Sequence, residues 1–227
     1  GPSGLLTCLV RFSDLRTLSN VLGAWALAIG LLLIGGRDAT AAPDRTILVL
    51  GDSLSAAYGI EPGQGWVALL QRRLEDQGYG YRVVNASVSG ETSSGGLQRL
   101  PRALKIHQPD LVILELGSND GLRGLPIQTT RANLQKMIRL AREAGAEVLL
   151  VGMRMPPNYG PRYTEQFTGM FADLAQSEGV ALVPFFLDGV ALDPTLMQDD
   201  GLHPNARAQP VLLETLWKHL APLLRKA

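Results

Sequence analysis

The chain has a single cysteine in 227 residues, Cys8, so no intrachain disulfide can form and no cysteine cluster can hold a metal. It also lacks an excess of either charge. Lys plus Arg and Asp plus Glu both count 21, a balance that gives no electrostatic basis for gripping nucleic acid or an anionic membrane surface. Histidine is scarce, with only His107, His203 and His219 present, so an imidazole that moves protons has few places to come from. No internal repeat, low-complexity tract or linker argues for a second folded domain. With 46% apolar residues, a chain of this length can bury one sizeable core without metal or disulfide support.

The first 42 residues differ from the rest. Arg11 and Arg16 precede an uncharged stretch from Val21 to Gly36, and Arg37-Asp38-Ala39-Thr40-Ala41-Ala42-Pro43 then offers small residues at the spacing a signal peptidase uses. Residues 1–42 are therefore expected to be a secretory signal, with Gly1–Gly4 a candidate vector-derived remnant, and 43–227 the folded domain. The apolar stretch is shorter than the ~20 residues of a membrane-spanning helix, although an uncleaved anchor is the alternative. No cysteine follows it, which excludes lipid attachment at a new N-terminus. Removing Arg11, Arg16, Arg37, Asp14 and Asp38 leaves 18 basic and 19 acidic residues. A cysteine-free, nearly neutral domain suits the periplasm or the extracellular space, and the lack of disulfides alone fits the cytosol equally well.

Apolar runs at Thr46–Leu50, Arg82–Asn85, Leu111–Leu116, Val148–Gly152 and Ala181–Pro184 predict about five buried strands. Segments of helical spacing lie between and after them, at Gly65–Gln77, Gly96–His107, Gln128–Ala144, Thr164–Glu178 and Asn205–Arg225. This alternation predicts an α/β fold, a parallel sheet covered by helices on both faces. Ligands in that architecture sit beyond the carboxyl ends of the strands.

Four short blocks fall at or beyond those ends and together carry the parts of a serine hydrolase. Ser53, in Gly51-Asp52-Ser53-Leu54, follows the first strand, where Gly51 permits a tight turn; its hydroxyl can be a nucleophile, a helix cap is the bland reading, and Ser55 competes. Asp200 and His203 are three residues apart, close enough for a turn to join carboxylate and imidazole, with Asp199 as the competing carboxylate. His107 and His219 read as helix-end or surface residues. Gly90 offers a backbone N–H and Asn119 a side-chain amide, which with the Ser53 N–H can make a three-donor oxyanion hole, while ordinary turn chemistry also favours both residue types. The strict Gly-x-Ser-x-Gly elbow of α/β-hydrolases is absent around Ser53, which disfavours that fold.

The blocks resemble those of the SGNH (GDSL-type) hydrolase superfamily, whose four signature residues match Ser53, Gly90, Asn119 and His203. Gly117–Gly124, Pro157–Gly160, Pro184–Phe186 and Met197–Asn205 extend the similarity to its bacterial periplasmic multifunctional esterases, over essentially all of Thr46–Leu224. Ser118 stands where some of those members carry glycine, a departure that bears only on loop stiffness. The resemblance implies a flavodoxin-like three-layer α/β/α sandwich with a catalytic triad of Ser53, Asp200 and His203. It implies hydrolysis of thioesters, aryl esters and lysophospholipids by an acyl-enzyme route with no metal and no other cofactor. The implied partner is a small acyl substrate, with no nucleic acid and no stable membrane anchor after signal cleavage; the oligomeric state is not legible.

Met153–Tyr159 follows the fourth strand and is expected to border the same cleft, where adaptable methionines suit a fatty chain or, equally, pack under a loop. Leu122, in the glycine-rich stretch Gly121–Pro126 that can move over substrate, joins Met155 and Tyr159 as expected substrate-binding residues. A carbohydrate O-deacetylase using the same catalytic set is the alternative enzyme. A noncatalytic lipid-binding protein is a different class, disfavoured by the complete set of catalytic groups.

Overall fold

Residues 45–226 are described by the computed structural model, and the expected signal segment, 1–42, lies outside the described residues. The apolar runs form β1 (Arg45–Gly51), β2 (Tyr81–Asn85), β3 (Leu111–Glu115), β4 (Glu147–Val151) and β5 (Ala181–Val183). All pair in parallel, in the order β2-β1-β3-β4-β5. Ile47, Leu48, Val49 and Leu50 of β1 are completely buried, as are Ile113 of β3 and Leu149–Val151 of β4. Helices cover the central strands on both faces, so these strands read as unbroken apolar runs without alternation.

The helices are α1 (Trp66–Asp76), α2 (Ser93–His107), α3 (Ser118–Leu122), α4 (Ile127–Glu143), α5 (Pro161–Glu178) and α6 (Gln209–Leu220). α1 packs on α6, while α2 packs on α4 and α4 on α5. This is the expected three-layer α/β/α sandwich. Among the described residues, no helix is long and apolar enough to cross a membrane.

The helices differ from the periodicity reading at several points, α5 for instance starting three residues early at Pro161. α2 begins three residues early, because the Thr92 side chain accepts from the Gly95 N–H and caps a first turn whose glycines hide it from propensity. α3 was not expected at all; five residues are too few for a 3.6-residue period to register. The expected last helix, 205–225, is broken into a turn at Ala206–Ala208, α6, and another turn at Ala221–Leu223. Pro210 and Pro222 mark the two joints, since each lacks the N–H that a continuous helix needs.

Candidate active site

The order β2-β1-β3 places a topological switch point between β1 and β3, where the following connections leave in opposite directions and open a crevice at the carboxyl ends. Ser53 sits two residues past β1, and Asn119 four residues past β3. No α-helix starts at Ser53. Residues 53–59 are a run of turns, held by Ala56 N–H to Asp52 O at 2.9 Å and Tyr58 N–H to Ser53 O at 3.2 Å, so the serine is not a helix cap.

His203 reaches the same point from the far end of the chain, with its Nε2 3.0 Å from Ser53 Oγ. Its Nδ1 is 2.5 Å from Asp200 Oδ2, and Asp200 Oδ1 accepts the backbone N–H groups of Leu202 and His203, both at 2.9 Å. These backbone donors, then the His203 ring, hold the Asp200 carboxyl down to about 2, so it stays an anion. Asp200, not Asp199, therefore orients the imidazole. The loop that carries the pair is clasped at its base. Gln198 N–H donates to His203 O at 2.7 Å, and the Gln198 side-chain amide donates to Tyr58 O and Pro204 O at 2.8 and 3.0 Å. The Tyr58 ring lies on the His203 ring, with centroids 4.4 Å apart. His107 and His219 fall at the ends of α2 and α6, away from these partners.

Asn119, one of the expected oxyanion donors, is tied through Asp52 and Glu91 to the turns that carry the other two, Ser53 and Gly90. Gly90 has φ +79°, a backbone conformation that favours glycine, and its carbonyl accepts from Arg123 at 3.1 Å. The N–H groups of Ser53 and Gly90 have no acceptor among the described residues. The Asn119 amide donates to Glu91 O at 2.9 Å and to Asp52 Oδ2 at 3.2 Å, so an oxyanion competes with these acceptors for it. Asp120, which sequence reasoning passed over, fixes α3 in place: its buried carboxylate accepts from Ser93 N–H at 2.8 Å, Ser93 O–H at 2.6 Å and Thr130 O–H at 3.2 Å. Its only sequence signal was its place next to Asn119.

Ser55 does not face the cleft. It is 2% exposed and donates its hydroxyl to Glu115 Oε1 at 2.6 Å, which removes it as a rival nucleophile. Gly51 has no left-handed φ; the expected turn role gives way to a steric one, because a Cβ there would lie 2.7 Å from Ser55 Oγ and 2.9 Å from Glu115 Oε1. Two buried carboxyls thus lie beneath Ser53. Burial pushes Asp52 up to about 6, and burial followed by the Asp52 charge pushes Glu115 well above the usual carboxyl range.

Leu122 and Tyr159 are half-buried neighbours, joined by Tyr159 O–H donating to Leu122 O at 2.8 Å. Met155 does not line an open groove with them. It is 7% exposed and lies beneath α3, where a Cβ on Gly121 would be 2.5 Å from its sulfur. Its thioether fills the space that Gly121 leaves under α3.

A family model described as GDSL-like Lipase/Acylhydrolase family matches residues 49–209. The chain is 57% identical over 180 residues to esterase TesA of Pseudomonas aeruginosa, covering 79% of this chain and 90% of that protein. It is 47% identical over 194 residues to thioesterase 1/protease 1/lysophospholipase L1 of Escherichia coli, covering 86% and 90% of the two. A crystal structure of TesA superposes with a TM-score of 0.78 at 57% identity, covering 79% of this chain and all of that one.

Proposed function

Because this chain belongs to the GDSL-like lipase/acylhydrolase family, we propose that it is a serine esterase that hydrolyses acyl thioesters, aryl esters and lysophospholipids through an acyl-enzyme intermediate. The observation that carries the catalytic assignment is the line Ser53 Oγ, His203 Nε2, His203 Nδ1, Asp200 Oδ2, with contacts of 3.0 and 2.5 Å. Ser53 attacks the acyl carbon as His203 Nε2 takes its proton, and Asp200 stabilises the imidazolium that forms. The oxyanion is held by the N–H groups of Ser53 and Gly90 and by the Asn119 amide, each donor lowering the barrier by roughly 3 kcal/mol. His203 returns the proton to the departing thiolate or alkoxide. Water then enters where the leaving group was and repeats the sequence to release the acid.

Leu122 and Tyr159 are the groups we assign to the acyl chain, since both are half-buried, they are joined by a hydrogen bond, and Leu122 ends the short helix that carries Asn119. The relative named as a thioesterase and lysophospholipase supports lipid acyl substrates over carbohydrate O-deacetylation. The signal-like residues 1–42 support action in the periplasm or outside the cell. The test is a series of p-nitrophenyl esters and acyl-CoAs of increasing length. Each buried methylene gains up to ~0.8 kcal/mol, about fourfold in kcat/KM, so the rate should climb across several carbons. A preference for acetyl esters with no gain from longer chains would replace this reading with the deacetylase.

A further inference from the structure

The acyl-transfer steps leave unused the two carboxyls buried beneath Ser53. Glu115 ends β3 directly opposite Gly51 in the parallel register, and Asp52 follows Gly51. Glu115 is completely buried and Asp52 is 1% exposed. Glu115 Oε1 is satisfied by the Ser55 hydroxyl, whereas Oε2 has no hydrogen-bond donor, and the carboxyl it faces is that of Asp52. The charged groups acting on Asp52 from the elements packed around it are Glu115, His203 of the final loop and Asp120 of α3; the one acting on Glu115 is Asp52. Neither lysine nor arginine is among them.

Two carboxylates forced together without a cation cannot both stay ionised, and an orphaned buried oxygen adds a further cost. One proton between them answers both problems. Asp52 is the better anion of the two, because Leu54 N–H donates to its Oδ1 at 3.0 Å and the Asn119 amide to its Oδ2 at 3.2 Å. Glu115 has the Ser55 hydroxyl and, as a weaker influence, the Asp52 backbone N–H, while burial and the Asp52 charge weigh more against its ionised form. The proton therefore belongs on Glu115 Oε2, the atom that otherwise has no partner. Gly51 completes the arrangement, since any side chain there would push into Ser55 Oγ and Glu115 Oε1.

Resting on the serine-esterase reading above, we propose that Glu115 holds a proton and donates it to Asp52, and that this acid–carboxylate pair is the positioning element for Asn119 and for the turn carrying Ser53. Asp52 reaches both halves of the site. Through Leu54 N–H it fixes the residue after the nucleophile, and through Asn119 it fixes an oxyanion donor. Glu115 touches neither substrate nor reacting atoms; it keeps Asp52 in place and singly charged with its partner. Losing the Glu115 proton at alkaline pH puts two charges side by side and drives Asp52 away from its donors. Activity then falls on the alkaline side.

The test compares the parent, Glu115→Gln and Glu115→Ala, using p-nitrophenyl butyrate turnover across pH and infrared spectroscopy of the protonated-carboxyl C=O stretch. Glutamine copies the protonated acid, accepting from Ser55 through its carbonyl and donating to Asp52 through its amide. We expect E115Q to keep kcat within about threefold and to lose the alkaline fall, whereas E115A drops kcat on the order of 10²-fold with KM little changed, the size of a slightly displaced catalytic group. The infrared band should be present in the parent at neutral pH and missing in E115Q. Absence of that band in the parent, or an E115Q as crippled as E115A, overturns the proposal. If E115A does not fold, the band and the pH profile of E115Q decide the matter alone. The band is read on unreacted protein, so it tests the pair even where Ser53→Ala left turnover intact and sank the esterase reading.

Discussion

Adding one methyl group at Gly121 probes how α3, the helix that carries Asn119, is supported. A Cβ built there lies 2.5 Å from Met155 Sδ, 2.7 Å from Phe167 Cε2 and 2.8 Å from Met155 Cε, well inside the ~3.5–4.0 Å of a relaxed carbon contact. Phe167 is 1% exposed and Met155 7%, so neither can step aside into solvent. Overpacking of this kind costs about 1–3 kcal/mol, and alanine's better helix propensity returns up to about 1 kcal/mol. Gly121→Ala should therefore lose a net of about 1–2 kcal/mol, a fall in Tm of roughly 2–8 °C for a domain of this size. Met155→Ala alone should lose about 2–5 kcal/mol through the cavity it leaves. In the double variant the new methyl enters the vacated space, so the combined loss should be smaller than the sum by about 0.5–3 kcal/mol. Thermal and urea unfolding of the four proteins measures this directly. Strict additivity, or a Gly121→Ala protein as stable as its parent, would refute Met155 as the floor under α3.

Two more outcomes follow from the same geometry. Asn119→Ala should lower kcat by about 10²-fold or more with a smaller effect on KM, because its donor strengthens as charge develops; steady-state kinetics checks this, and a change confined to KM contradicts the role. Asp52, raised from 3.8 to about 6, keeps in the folded state a proton that the unfolded chain has already lost, so its contribution is full below pH 3.8 and disappears as pH rises through about 6. Unfolding free energies from urea titrations should fall over that window, by up to ~3 kcal/mol from Asp52, with the midpoints falling in step, and Asp52→Asn should flatten the fall. Midpoints that rise from pH 4 to 6 equally in both proteins would contradict the assignment.

How much of this was legible in the sequence depends on the range of each signal. The strands were, because β1, β3 and β4 are buried on both faces and leave continuous branched runs. Ser53, Asn119, Asp200 and His203 were, because each sits in a block of turn-forming residues next to such a run, and Asp200 and His203 are near enough in sequence for their contact to be local. Rivals were not separable there. Only the fold shows that the Ser55 hydroxyl is committed to Glu115 and that Asp200 rather than Asp199 meets the His203 ring. Glu115 itself reads as a lone polar residue inside the apolar run Leu111–Leu116; its pairing with Asp52 arises from the β1–β3 register, a long-range fact with no local trace. The burial of Met155 was hidden for a similar reason. An apolar residue after a strand suits a groove or a floor equally, and it was the approach of α3, too short to announce itself, that covered it.

The central claim is that Ser53 is the nucleophile, with His203 as its base. The most direct measurement is to treat the parent protein and Ser53→Ala with a fluorophosphonate and map the adduct by mass spectrometry. The account predicts one adduct, on Ser53, that silences turnover in the parent, with no labelling of a folded Ser53→Ala protein. An adduct on Ser55, or hydrolysis by Ser53→Ala at the parental rate, would contradict it.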